Sequence, residues 1–257
     1  MNEPKPALLM VHGLLGPIDF FDPASRMPGT EVHAPDLPGY RLQPPHAPGD
    51  ALTLTRYAEW LADYVRKRID RPVCLLGHSV GGAIAMLAAG LLPGAVRMVI
   101  NVEGNFSLND AFWCRRIAAL REEDWALEHH KLQADPRAWL EKGGIEATEQ
   151  RLQWARDILH NQTAAVVQRT AKAVVRDTGD SAYLDAVRRV VDSGIPVHLM
   201  AGGRSCEGWD VPAWVRSAAA SSTVLSGVGH MPMLEAPGRF CSAVGALISS
   251  IPAPSRR

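Results

Sequence analysis

The sequence predicts an α/β fold, a mostly parallel sheet with flanking helices and an inserted helical segment. Three observations predict it. Short, continuous apolar runs alternate with helical patterns between Ala7 and Val102, as doubly buried strands and crossover helices do. One such run, Pro72–Leu76, ends in Gly77-His78-Ser79-Val80-Gly81 and opens directly into the small-residue pattern Gly82–Ala89. That reads as a strand, a tight turn and a helix. From Leu108 to Asp192 strands give way to helical stretches alone, and then the alternation resumes.

Taken in order, Ala7–Val11 is a continuous apolar run and the first strand; it ends in His12-Gly13-Leu14-Leu15-Gly16-Pro17. Glu31–Ala34 is a second short strand, stopped by the turn residues Pro35-Asp36-Leu37-Pro38-Gly39. Residues 43–50, rich in proline, are loop. Leu54, Tyr57, Ala58, Leu61, Val65 and Ile69 recur at helical spacing with charged residues between them, so a helix is expected over Leu54–Ile69. The strand and helix around Ser79 follow, stopped at Leu92-Pro93-Gly94, and Arg97–Val102 is the next strand. The helical segment then reads Ala111–Leu120, Glu122–Gln133, Ala138–Lys142, Glu149–His160, Ala164–Arg176 and Tyr183–Asp192. Pro196–Ala201 is a strand, Val211–Ala220 contains a helical piece, Thr223–Leu225 is the last strand and Arg239–Ser249 a closing helix. The expected organisation is a core from 1–107 and 193–257 with a helical cap over 108–192. Such a cap would cover the carboxyl edge of the sheet, where ligands bind in folds of this kind.

Composition narrows the function. The 257 residues are 47% hydrophobic, enough for one domain with a large core. Lys+Arg and Asp+Glu are equal at 27 each, so no basic excess attracts nucleic acid or anionic lipid. Apolar runs are too short to cross a bilayer, and Met1–Pro6 lacks a basic-then-apolar leader. Cys74, Cys114, Cys206 and Cys241 are scattered without a Cys-x-x-Cys pair, as in reduced, cytoplasmic proteins. No metal or cofactor motif is present, and no nucleic-acid or membrane partner is expected. The tail from Pro252 to Arg257 is expected to be disordered.

The turn at Ser79 carries the chemistry. Gly-x-Ser-x-Gly between strand and helix is a nucleophile elbow, in which flanking glycines avoid clashes and the hydroxyl stands at a helix N-terminus. A serine needs a base, and the base an acid. His230 is the expected base, because Gly227-Val228-Gly229-His230 follows the last strand and its glycines let the loop reach the elbow. His33 and His198 sit in strands, and His129 and His130 lie on a charged helix where solvation is expected. Two backbone donors should hold an oxyanion: the N–H of Val80, and that of Leu14 from the loop after the first strand, with Leu15 as second choice. Around Ser79, the pocket is expected to draw on His12, Leu15, His78, Asn105, Phe106, Trp113 and Met231.

The His12-Gly13 loop, the Asp36-Leu37-Pro38-Gly39 turn, the Gly-His-Ser-Val-Gly-Gly elbow and Gly229-His230 stand in the order seen in the α/β-hydrolase superfamily, and the chain resembles a capped member over nearly its whole length. It is similar to shortened forms lacking the first two strands of the full sheet. The resemblance implies an acid in a Gly-x-x-Asp turn after the strand that follows the cap. Here that turn reads Gly202-Gly203-Arg204-Ser205. Other members carry the acid after the preceding strand, which points to Glu103, directly after Arg97–Val102; Asp210 and Glu207 are the alternatives. The implied activity is cleavage of a small-molecule carboxylic ester or thioester through an acyl-enzyme on Ser79, without a cofactor. Acyl transfer, lactone or amide cleavage and C–C bond hydrolysis use the same residues, and a non-catalytic ligand-binding protein on this fold is the alternative from another class.

Overall fold

In the computed structural model, residues 5–41, 43–44 and 52–250 are described. Strands β1 (Ala7–Val11), β2 (Glu31–His33), β3 (Val73–His78), β4 (Val96–Val102), β5 (Val197–Gly202) and β6 (Ser221–Leu225) form one sheet in the order β2-β1-β3-β4-β5-β6. Every neighbouring pair is parallel. The chain moves outward in one direction from β1 to β2 and in the other from β3 to β6. The crevice between β1 and β3, at their carboxyl ends, is therefore the switch point of the sheet.

The continuous apolar runs follow from burial on both faces. Leu9, Val11, Leu75 and Val99 enter one core, and Leu8, Met10, Cys74, Leu76 and Ile100 enter the other. The first core is closed by α2 (Leu54–Tyr64) and α3 (Val80–Gly90), the second by α12 (Pro237–Ser249) with the one-turn helices α1 (Pro23–Arg26) and α11 (Pro232–Glu235). Thr53 starts α2 by accepting the Arg56 N–H. The helix expected to run to Ile69 instead turns π from Val65 to Ile69, closed by Asp70 N–H to Val65 O at 2.9 Å. Leu61, Val65 and Ile69 are four apart, a spacing that drifts off the apolar face of a 3.6-residue helix; the wider turn keeps Val65 and Ile69 buried.

Between β4 and β5 lie α4 (Phe112–Ala119), α5 (Glu122–Ala134), α6 (Pro136–Lys142), α7 (Glu149–His160), α8 (Ala164–Thr178) and α9 (Ser181–Asp192). Asp135, Thr148, Thr163 and Asp180 accept backbone N–H groups at the starts of α6 to α9. The helix α8 packs on α4, α5 and α2, α7 touches α6 and α11, and α9 packs on α3 and on α10 (Ala213–Ala218). His129, expected in solvent, is buried on α5 beside Trp125, with ring centroids 5.6 Å apart. Its helix is charged overall, but Trp125 and His129 are four apart and share its inward side. The proline-rich stretch 43–50 falls largely outside the described residues, with His46 and the tail from Pro252.

Candidate active site

Ser79 follows the last residue of β3 and precedes the first of α3. Its backbone is at φ 55, ψ −123, a conformation L residues rarely adopt. Surrounding contacts hold it there: its N–H donates to Val102 O at 3.0 Å, and its carbonyl accepts from Gly82 N–H at 2.8 Å and Asn105 N–H at 3.3 Å. The glycines are demanded by space. A Cβ on Gly77 would stand 2.1 Å from Gly81 O, and one on Gly81 would stand 2.3 Å from Val11 O. Val80 is the first residue of α3, so its N–H has no partner within the helix.

The loop after β1 lies directly across the elbow: a Cβ on Gly13 would touch Ser79 Cβ and His78 Nδ1, each at 3.2 Å. His12 braces this loop. Its Nε2 accepts the Leu37 N–H at 3.0 Å, and Nδ1–H donates to Gly13 O at 2.8 Å. That pairing fixes one neutral tautomer, and burial brings the His12 pKa down to about 4. The carbonyls of Leu14 and Leu15 are also taken, by Tyr40 OH and Asn161 Nδ2, both at 2.8 Å. With the carbonyls turned toward Tyr40 and Asn161, the loop is held from both sides.

His230 lies in the loop between β6 and α11, and its side chain is about half exposed. Its Nδ1–H donates to Glu103 Oε2 at 2.8 Å. Glu103 follows β4 directly, at φ 43, and its side chain is buried. The other carboxylate oxygen, Oε1, accepts Gly202 N–H at 2.7 Å and the Ser205 hydroxyl at 2.6 Å. Burial by itself would raise the Glu103 pKa; hydrogen bonds from His230, Ser205 and Gly202, with the charge on His230, outweigh it and hold the carboxyl below its ordinary range. A carboxylate that engages Nδ1 of an imidazole leaves Nε2 as the free, basic nitrogen.

His78 is the last residue of β3. It is buried, and its Nε2–H donates to the His230 carbonyl at 2.8 Å, with the two rings 4.8 Å apart. Burial first, and then the neighbouring His230, bring its pKa down to about 3. Asn105 and Phe106 are buried behind the elbow: Tyr183 OH donates to Asn105 O at 2.6 Å, and Phe106 packs on Trp209. Met231 and Trp113 are partly buried against the cores. Asp210 is turned to another loop, accepting Ser107 Oγ at 2.7 Å and Asn109 Nδ2 at 2.9 Å, and Glu207 is exposed on the short turn Cys206–Gly208. Among the described residues no cluster of His, Cys, Asp and Glu could hold a metal ion. A surface depression of about 370 Å³ beside α2, lined by Trp60, Arg66 and Leu91 among others, shares no residue with this site.

The sequence pattern of the alpha/beta hydrolase family matches residues 8–243, nearly the whole chain. The protein belongs to that family. With it the chain joins a class of hydrolytic enzymes. Solved structures agree on the fold. A structure from a study of carboxylesterases of the thaumarchaeon Nitrososphaera gargenis superposes with a TM-score of 0.72 at 17% identity, covering 96% of this chain and 91% of that one. The esterase EaEST from Exiguobacterium antarcticum gives 0.72 at 18%, covering 97% and 94%. MenH from S. aureus gives 0.70 at 15%, covering 96% and 95%.

Four contacts of this hydrolase went beyond its sequence reading: the bracing of the β1 loop by His12, the hydrogen bond from His78 to the His230 carbonyl, the Ser205 hydroxyl on Glu103, and Glu235 on α11, which accepts the Gly229 N–H, next to His230, at 2.7 Å. Only Ser205 had a signal, since it stands where the resemblance calls for an aspartate.

Proposed function

We propose that this α/β hydrolase is a serine hydrolase that cleaves a small-molecule carboxylic ester or thioester through an acyl-enzyme on Ser79. The observation that carries the reading is the 2.8 Å hydrogen bond between His230 and Glu103, with His230 hydrogen-bonded through its carbonyl to the residue preceding Ser79. His230 Nε2 takes the proton of the Ser79 hydroxyl as Oγ attacks the carbonyl carbon, then gives it to the departing alkoxide or thiolate. Glu103 keeps Nδ1 protonated and stabilises the imidazolium that forms. The N–H groups of Val80 and Leu14 donate to the oxyanion, in a loop and helix start already held in place before the substrate arrives. Water, activated by the same histidine, then attacks the acyl-enzyme and regenerates Ser79. Esterases are among the solved structures that share this fold, beside an N-acyl homoserine lactonase.

The segment 108–192 is proposed as the cap of a core formed by 1–107 and 193–257. Asn161 on the β1 loop and Arg151 on Glu235 O support this, since both tie inserted helices to loops of the site. The packing of α9 on α3 joins the end of that segment to the core.

A panel of p-nitrophenyl esters and acyl-thioesters of graded chain length tests the reading, with Ser79→Ala as control. Turnover lost in Ser79→Ala is the expected result. Inactivity on every ester and thioester, with turnover of amides or β-diketones, would overturn the reaction class.

A further inference from the structure

We infer that Ser205 is a positioning residue of this site: its hydroxyl locks the Glu103 carboxylate in the orientation that engages His230. The inference rests on the reading of Ser79, His230 and Glu103 as a triad. Ser205 occupies the turn after β5 where the resemblance expects the acid itself, and there it donates to Glu103 Oε1 at 2.6 Å. Its other acceptor, Gly202 O, is 3.4 Å away. A hydroxyl has one proton. The shorter, charge-assisted bond wins it, since such bonds are about twice as strong as neutral ones.

The geometry of the carboxylate explains why one more donor matters. Oε2 is committed to His230 and Oε1 to Gly202 N–H and Ser205. Rotating the carboxylate would break bonds at both ends at once. Without Ser205, Oε1 would keep only the Gly202 N–H, and the acid sits on a residue at φ 43 whose strain the surrounding contacts must hold. The turn that lacks an acid thus still serves the acid. Ser205 is only partly buried, so its removal leaves no large cavity and the fold is expected to survive.

The test is the rate at which a fluorophosphonate labels Ser79, followed by intact mass across pH in the wild type, Ser205→Ala, Ser205→Thr and Glu103→Gln. Ser205→Ala is expected to label about tenfold more slowly. Its acid limb should also move to higher pH, because Glu103 has lost a donor that favours its charged form. Ser205→Thr, which keeps the hydroxyl, should return both the rate and the limb. A purely structural role would scale the profile without moving it, and that outcome overturns the inference. Glu103→Gln separates the failures. If it is slow while Ser205→Ala labels like the wild type, the inference alone falls. If Glu103→Gln labels like the wild type, the triad reading falls and takes the role of Ser205 with it.

Discussion

At the scale of single residues, His12, His78 and His230 have different partners around the elbow. His12 and His78 are buried, spend ring nitrogens on backbone groups and are made weak bases by burial, whereas His230 combines exposure with a carboxylate on Nδ1. Glu103→Gln should therefore lower kcat by about a thousandfold with KM little changed, because the amide can neither fix the tautomer nor balance the imidazolium. Asp210→Asn, whose carboxylate serves Ser107 and Asn109, should leave kcat within about twofold. Steady-state kinetics on one ester decides between them, and the opposite pattern would move the acid to the turn after β5. Glu103 stood out in the sequence because a carboxylate ending an apolar run needs a reason. Its hydrogen bond to Ser205 could not be foreseen, since the two follow different strands and only the parallel pairing of β4 with β5 brings them together.

At the scale of elements, the elbow was legible because its constraints are local. Glycine spacing, an apolar run and a small-residue helix all lie within Val73–Gly90. Gly81→Ala would drive a methyl to 2.3 Å from Val11 O, backbone that cannot yield without moving β1 off the sheet. It should cost about 3 kcal/mol or more in urea unfolding, or prevent folding; a loss below about 1 kcal/mol would mean that the elbow is looser than described. The long helices were readable from periodicity, with α7 bounded as expected at Glu149 and His160. The one-turn helices α1 and α11 and the π turn at Val65 were not, because they are too short to set a period and arise from packing. The connection between α6 and α7 depends on Arg204, which donates to Gly144 O at 3.2 Å, to Gly227 O at 2.7 Å and to Glu235 Oε2 at 2.8 Å. Arg204→Ala should raise amide hydrogen exchange together in 143–146 and 227–235. Unchanged protection in either segment would show that this tie does not couple the inserted helices to the His230 loop.

At the scale of the whole molecule, a parallel sheet buried on both faces makes the fold depend on groups that cannot take up protons. His12 and His78 stay neutral in the folded protein down to about 4 and about 3, whereas in the unfolded chain each binds a proton below about 6.5. From pH 6.5 down to about 4 the unfolded state therefore holds more protons, and stability falls with acidification by up to about 2.7 kcal/mol per pH unit from the two together. The depressed Glu103 carboxyl acts in the same direction at lower pH, its contribution being present above the ordinary glutamate range and lost below it. Urea unfolding at pH 7, 6 and 5 should show the decline; half the slope would mean that one histidine takes up a proton in the fold, and a flat response that both do. The strand–helix order that defined the fold was readable because it is a property of the whole chain. What escaped the sequence at this scale is where the inserted helices rest, including the packing of α9 against α3. Amphipathic helices declare that they have a buried face without declaring its partner.

The proposed reaction turns on Ser79 acting as a nucleophile activated by His230. Intact-mass analysis after treatment with a fluorophosphonate probes that step, with the native enzyme, Ser79→Ala and His230→Ala side by side. A single adduct on the Ser79 peptide, absent from Ser79→Ala and slowed by about a thousandfold in His230→Ala, is the predicted result. Labelling that persists in Ser79→Ala, or that proceeds at the native rate without His230, would contradict it.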